Sequence, residues 1–372
     1  MVLRRHRPFF RSFVPLLICL LPCLVVELFS FWAASFLWQI PPISNPNSVV
    51  ILIISDPQLI GHINEPGWTG IVSRWDSDSR AVRPDLEVFL GDLFDEGVLL
   101  GGDERQFVDT RERFMKIFPL SKCSTNRIYL PGDNDIGGEM EPVYAELYER
   151  FKRHFPPHFT NSSDNFKRFI TIYESDVFNF GAANRICCDH SAGTNTVRLL
   201  LSHFPILAHA TAKTEQQLWP INVVLSAHDH TTGIYMQWRH PQQQQQQRRR
   251  QNAASAAVLP DDTADVQWKW TVSMFAPHTL PLIEFKSPTV SYRMGVPKMG
   301  YGLLVVTPFI TNGTALVQFS VLWLPSRLLQ LRMFLWLAVL GLLCTVLSLC
   351  GCFRRCEIRM KLLLANYKLC RR

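Results

Sequence analysis

Five short apolar runs mark the first two thirds of the chain: Val49–Ser55, Glu87–Gly91, Arg127–Pro131, Arg198–Ser202 and Asn222–Ala227. Each is five to seven residues long and apolar through most of its length. Runs that short and without alternation predict strands buried on both faces. Amphipathic stretches such as Asp103–Phe118 and Pro142–His154 lie between them and predict helices. Such alternation reads as an α/β fold with layered sheets. From Pro241 the chain reads PQQQQQQRRRQNAASAA. That composition cannot pack a core, so residues 241–262 are expected to form a low-complexity loop.

Two longer apolar spans, 13–38 and 333–352, frame this region. Each is long enough to cross a hydrocarbon core of ~30 Å, which needs about 20 residues. The first holds Pro15, Pro22 and Glu27 and competes with a cleaved signal peptide. Its length exceeds a signal h-region and no small-x-small site follows cleanly, which favours an uncleaved anchor. The second is free of charge, and its competing reading is a buried core helix. Charge changes the picture further. The net charge is +7, but residues 1–12 carry +4 and 353–372 carry +6, leaving −3 on the 340 residues between. A basic excess confined to the tails argues against a nucleic-acid-binding domain. By the positive-inside bias, tails 1–12 and 353–372 are expected in the cytosol. A linker, 39–48, then leads into a lumenal or extracellular domain, 49–325. The sequons at Asn161 and Asn312 fall in that domain and agree with the orientation. So do Cys123, Cys187 and Cys188, of which Cys123 could pair with either of the others.

The candidate chemistry follows the five runs. Asp56-Pro-Gln58 follows the first, and Gly91-Asp92-Leu-Phe-Asp95 closes the second. Gly132-Asp133-Asn134-Asp135 follows the third, His203 the fourth, and His228-Asp229-His230 the fifth. A lone Asp after a strand is usually a turn or cap residue. Five strands that deliver oxygen or imidazole at their carboxyl ends predict a ligand site at that edge of the sheets.

This order resembles the calcineurin-like metallophosphoesterases, whose pattern is D-x-H, GD-x-x-D, GN-H-D/E, a single H and GH-x-H. The resemblance spans roughly Val49 to Lys298. More narrowly, GDLFDEG at 91–97, GDNDIGGE at 132–139 and the two apolar spans around one domain are similar to the metallophosphoesterase 1 family. The segment Pro288–Tyr301 is similar more loosely. Members of that family remodel glycosylphosphatidylinositol (GPI) anchors in the early secretory pathway. The resemblance implies a layered β-sandwich flanked by helices, here with one transmembrane helix at each end. It also implies two divalent metal ions. Asp92 would bridge them, Asp56 and His230 would hold the first, and His203, His228 and Asp133 the second. Oxygen and imidazole donors without thiolate suit Mn, Fe or Zn, and manganese is the expected ion. The implied reaction is phosphodiester hydrolysis: removal of ethanolamine phosphate from a GPI anchor. The implied partners are GPI-anchored proteins or the GPI glycolipid, and the membrane. The implied setting is the endoplasmic reticulum, the intermediate compartment or the Golgi.

Departures from the pattern bear on turnover. Gln58 stands where a metal-binding His is usual, Asp133 where Asn is, and Asn134 where the His that protonates the leaving group is. Asparagine cannot be a general acid, and losing one costs about 10²–10⁴-fold in rate. Asp135 is the candidate substitute. The alternative reading is a catalytically impaired lumenal binding or cargo-sorting protein that keeps the fold.

Overall fold

The computed structural model describes residues 14–43, 45–59, 82–119, 126–159, 164–179, 182–187, 195–209, 217–238 and 267–349. The expected low-complexity loop, both expected tails, Cys123, Cys188 and Asn161 lie outside the described residues. The chain divides into two compact units, Ala34–Leu324 and a second formed by Met1–Ala33 with Pro325–Arg372. Six α-helices are described: α1 (Val14–Ser35), α2 (Glu104–Ile117), α3 (Asp133–Ile136), α4 (Ala145–His154), α5 (Asp164–Phe169) and α6 (Arg327–Leu349).

The larger unit holds two six-stranded sheets. The first is ordered β3 (Asn126–Leu130), β2 (Leu86–Leu90), β1 (Val49–Ile54), β11 (Gly300–Phe309), β12 (Thr314–Trp323) and β9 (Trp268–Ser273). The second is ordered β5 (Ala183–Cys187), β4 (Ile170–Ser175), β6 (Val197–Leu201), β7 (Val223–Ser226), β10 (Leu282–Lys286) and β8 (Gly233–Gln237). β1, β2 and β3 pair in parallel, and so do β4, β6, β7 and β10. Parallel strands are covered on both faces, which is why VVILII of β1 is buried at all six positions. Val49, Ile51 and Ile53 meet Leu199, Val223 and Phe285 between the sheets. Val50, Leu52 and Ile54 pack on the other face with Phe107 and Phe114 of α2 and Phe151 of α4. α2 starts where Asp103 accepts from the backbone N–H groups of Arg105 and Gln106, both at 3.1 Å. The result is a mixed α/β sandwich, and parallel pairing carries the ends of β1–β3 to one edge and those of β6 and β7 to one edge of their own sheet.

The five runs become β1, β2, β3, β6 and β7, within a residue or so of the expected bounds. Their helical neighbours become α2 and α4. β5 and β9 escape the pattern because they are not apolar throughout and mix buried, partly buried and exposed positions. Among the described residues, one helical stretch is long and apolar enough to cross a membrane, Arg327–Leu347. The helix begins before the expected 333, at Arg327. α1 ends at Ser35, so the expected span 13–38 is too long at its end. Trp38 instead packs edge-on against Tyr301 at 6.3 Å and donates its indole N–H to the Trp323 carbonyl at 2.9 Å. The linker is tied to β11 through Asn45 to the Pro308 carbonyl at 3.2 Å and Ser48 to Thr307 at 2.9 Å. Cys187 is disulfide-bonded.

Candidate metal centre

The strand ends reach their ligating positions through strained turns. Asp56, Gln58, Asp92, His228 and His230 have φ of 48°, 42°, 52°, 69° and 61°. They are five of the six non-glycine residues with left-handed φ among the described residues. Each such conformation costs on the order of 1–3 kcal/mol and persists only where surroundings impose it. Here the surroundings are visible. Gln58 N–H donates to the Asp92 carbonyl at 2.8 Å, and Thr289 Oγ1 donates to the Asp56 carbonyl at 2.8 Å. Lys286 donates to Asp229 at 2.9 Å and so holds the loop that carries His228 and His230. Gly91 (φ +94°) and Gly132 are needed for space: a Cβ at either would collide with the His203 ring or the Asp92 carboxylate.

Three carboxylates and two imidazoles meet at this edge. Asp133 Oδ1 lies 2.9 Å from His203 Nε2 and 3.0 Å from His228 Nδ1. His203 Nε2 lies 3.5 Å from Asp92 Oδ1, and His203 Nδ1 lies 3.8 Å from Asp56 Oδ1. His203 Nδ1 is also 2.7 Å from the Leu90 carbonyl. A carbonyl only accepts, so Nδ1 donates to it, while Nε2 faces Asp133 and Asp92. That pairing of a ring N–H with a backbone carbonyl is how ligating histidines are usually oriented. Burial pushes the Asp56 carboxyl up to about 8, with Asp92 adding to the rise. Burial alone would lower the His203 pKa, but Asp92, Asp133 and Asp56 carry it up to about 10. Burial opposes ionisation of Asp133 too, yet hydrogen bonds from His203 and His228 hold it well below the usual carboxylate range.

The donor set fits divalent cations. Both oxygens of Asp56 are buried and have no hydrogen-bond partner. An orphaned carboxylate is costly unless a cation or proton satisfies it. Two groups have ligand atoms within 4.8 Å of one another, Asp133 with His203 and His228, and Asp56 with Asp92 and His203. Oxygen and imidazole donors of this kind suit first-row divalent metals.

Three of the expected residues bond to neighbouring groups of the chain in this geometry. Gln58 donates its amide to Asp92 Oδ2 at 3.0 Å instead of offering its oxygen, and lies 3.3 Å from His230 Nε2. Asn134 donates its side-chain amide to the same Oδ2 at 2.8 Å and its backbone N–H to Oδ1 at 3.0 Å. The two amides that replace motif histidines thus converge on Asp92. Asp135 accepts three backbone N–H groups, from Leu93, Phe94 and Gly132, each at 3.0 Å. Burial first, then Asp92, still pushes it up to about 7. Those bonds fasten the loop after β2 to the turn after β3 and engage both carboxylate oxygens of Asp135. Glu139 lies 3.9 Å from His228 Nε2, and Arg293 pairs with Asp95 at 2.6 Å. Neither was singled out by the sequence, although Thr289 and Arg293 fall in the segment Pro288–Tyr301 that was.

A layered sandwich with acids and histidines at its strand ends is the build of a metal-dependent phosphoesterase. Residues 49–232 match the family model for the calcineurin-like phosphoesterase. The chain carries a calcineurin-like metallophosphoesterase domain, a class typically dependent on two metal ions. It is 30% identical over 188 residues to Cell division control protein 1 of Saccharomyces cerevisiae, covering 45% of this chain and 37% of that protein. It is 28% identical over 222 residues to the Metallophosphoesterase 1 homolog of Caenorhabditis elegans, covering 55% of this chain and 58% of that one. The Drosophila melanogaster Metallophosphoesterase 1 homolog is 28% identical over 120 residues, covering 31% and 30%. The chain spans less than two thirds of the length of each of these relatives. The domain supports phosphoester hydrolysis as the general activity.

Proposed function

We propose that the chain is a membrane-anchored phosphodiesterase that removes ethanolamine phosphate from GPI anchors or GPI-anchored proteins on their way out of the endoplasmic reticulum. The observation that carries the hydrolytic part is the orphaned, buried Asp56 carboxylate beside the Asp92, Asp133, His203 and His228 cluster. Similarity to the Metallophosphoesterase 1 homologs supports the narrower substrate. The apolar stretch Arg327–Leu347 supports anchoring, and α1 is proposed as a second span with both tails cytosolic.

In this reading Asp56, Asp92 and His230 hold one cation, and Asp133, His203 and His228 the other, with manganese as the first candidate. Such cations supply Lewis acidity toward phosphoryl oxygens and lower the pKa of water. The protein's own contributions are orientation and exclusion. The Leu90 carbonyl fixes the His203 tautomer, and the amides of Gln58 and Asn134 fix the Asp92 carboxylate. Asn134 cannot give a proton to the leaving group, so an aryl diester, whose leaving group needs none, should be cleaved faster than the alkyl diester of the proposed substrate. The test is direct: load the full chain with Mn²⁺, measure bound metal by mass spectrometry, and assay an aryl and an alkyl phosphodiester. Bound metal with no hydrolysis of either ester would favour the cargo-sorting alternative.

A further inference from the structure

A cavity of about 340 Å³ adjoins the candidate centre, and its lining includes His203 itself. Its walls are largely apolar: Leu130, Ile136, Val143, Val177 and Phe204. Phe204 is the partition. Its ring centroid lies 5.2 Å from that of His203 and 4.4 Å from that of His228. Gly138 keeps the opening clear. It has φ +126°, and a Cβ there would come within 3.1 Å of Val143 Cγ2 and 4.0 Å of Phe204 Cε2. The acids at the edge are already engaged: Glu174 with Lys152, and Asp176 with the backbone N–H groups of Phe178 at 2.9 Å and Asn179 at 3.2 Å. On the other side of the 137–141 loop lies a second cavity of about 260 Å³, lined by Asp95, Asp133 and Asn134. Gly137 borders both. Leu99 and Met140 line the second cavity while 60% and 95% exposed, so the approach to the centre has an apolar lip.

We infer that the cavity walled by Leu130, Ile136, Val143, Val177 and Phe204 is a hydrocarbon-binding subsite. It takes the apolar substituent of an amphiphilic phosphoester whose phosphate group lies at the candidate centre. This rests on the phosphoesterase reading and adds the class of substrate. The volume is at the small end of the 300–1,000 Å³ usual for ligand pockets. It suits a short alkyl segment. With its edge acids engaged, the wall offers mainly hydrocarbon surface, beside Ser175 and His209. Each methylene moved from water into it should therefore add affinity.

The experiment uses the full chain in lipid nanodiscs, loaded with Mn²⁺, titrated calorimetrically with inorganic phosphate and with methyl, propyl, butyl and hexyl phosphate. Affinity is expected to rise about three- to fourfold per methylene, as burial of a CH₂ predicts. In Val177→Trp and Val143→Trp, which plug the cavity from two different segments, that rise should flatten while bound metal stays at the wild-type level. Should one variant fail to fold, the other carries the comparison. A flat series in the wild-type chain, with phosphate itself bound, overturns the subsite. A rise that persists in both tryptophan variants also overturns it, because the hydrocarbon then sits elsewhere. A rise that the variants abolish, together with no turnover of any ester, keeps the subsite and removes the hydrolase. No binding of phosphate or of any alkyl phosphate overturns both.

Discussion

Asp56 gives the sharpest test at the residue scale, because its two environments have opposite signs. Without a cation its carboxylate is a buried group with no hydrogen-bond partner, facing the His203 ring at 3.8 Å. Asp56→Asn is then expected to raise the unfolding midpoint in chelator, by an amount set by a desolvation penalty of roughly 1–3 kcal/mol. With Mn²⁺ present the order should reverse, since metal at 100 times its Kd stabilises the native chain by about 2.7 kcal/mol. Thermal melts of both proteins with EDTA and with Mn²⁺ decide this; parallel shifts in the two conditions would mean that Asp56 binds no ion. Asp92 is the second test. If Asp92 serves both cations, as the family resemblance implies, Asp92→Asn should lower metal content at both, whereas His230→Ala should lower it at one. Asn134 is the third. Asn134→His should speed hydrolysis of alkyl diesters by up to about 10²–10⁴-fold and aryl diesters much less. Equal gains for both esters would place the missing function elsewhere. The sequence shows which residues follow which strand, so the members of this cluster are legible before any fold is known. It does not show that Gln58 and Asn134 bond the same oxygen. Two amides separated by 76 positions meet there only because β1, β2 and β3 are neighbours.

At the scale of elements, Arg127 shows what the apolar pattern hides. It opened an expected strand as an apparently polar boundary residue. In the sheet it is fully buried, opposite Glu87 in the β2–β3 register, with Nε 2.7 Å from Glu87 Oε2. It also donates to the Phe118 carbonyl at 2.7 Å and lies 5.3 Å from the Phe89 ring. Burial pushes the Glu87 carboxyl up, and Arg127 draws it back. Removing one partner of such a pair leaves a buried charge and costs about 3–5 kcal/mol. Arg127→Met should therefore lower the midpoint by roughly 10 °C, given 2–4 °C per kcal/mol for a domain of this size. The double variant Glu87→Leu/Arg127→Met should recover most of the loss. A double variant as unstable as the single one would show that the bonds to the Phe118 carbonyl and, at 2.9 Å, the Pro119 carbonyl matter more than the ion pair. β11 and β12 were missed for a different reason. Their connection reads as a glycosylation sequon, Asn312-Gly-Thr314, yet it is also a hairpin turn, with Gly313 at φ +62° and Asn312 exposed at its tip. One tripeptide serves two signals, and periodicity over the flanking strands does not separate them.

For the whole molecule, the expected topology puts the Ala34–Leu324 unit on the lumenal side. Protease added to intact microsomes should leave that unit uncut, and glycosidase should increase the gel mobility of chains glycosylated at Asn312, a shift that Asn312→Gln should remove. Digestion of residues 50–320 without detergent would contradict the lumenal placement. The α/β class and the apolar helix Arg327–Leu347 could be read from the chain because each depends on local composition. The long pairing of β1 with β11 could not, since register between residues some 250 positions apart is written in complementary surfaces and not in any one segment. The bond from Trp38 to the Trp323 carbonyl, with Trp38 against Tyr301, has a mechanical meaning. It fastens the strand of chain that enters the sandwich to the strand that leaves it. Tension applied at the two ends of Ala34–Leu324 would load this latch first and bypass the sheets. A tug transmitted along the chain would then meet a breakable clasp before it could begin to peel β12 from β11 and disturb the strand ends where the acids and histidines gather.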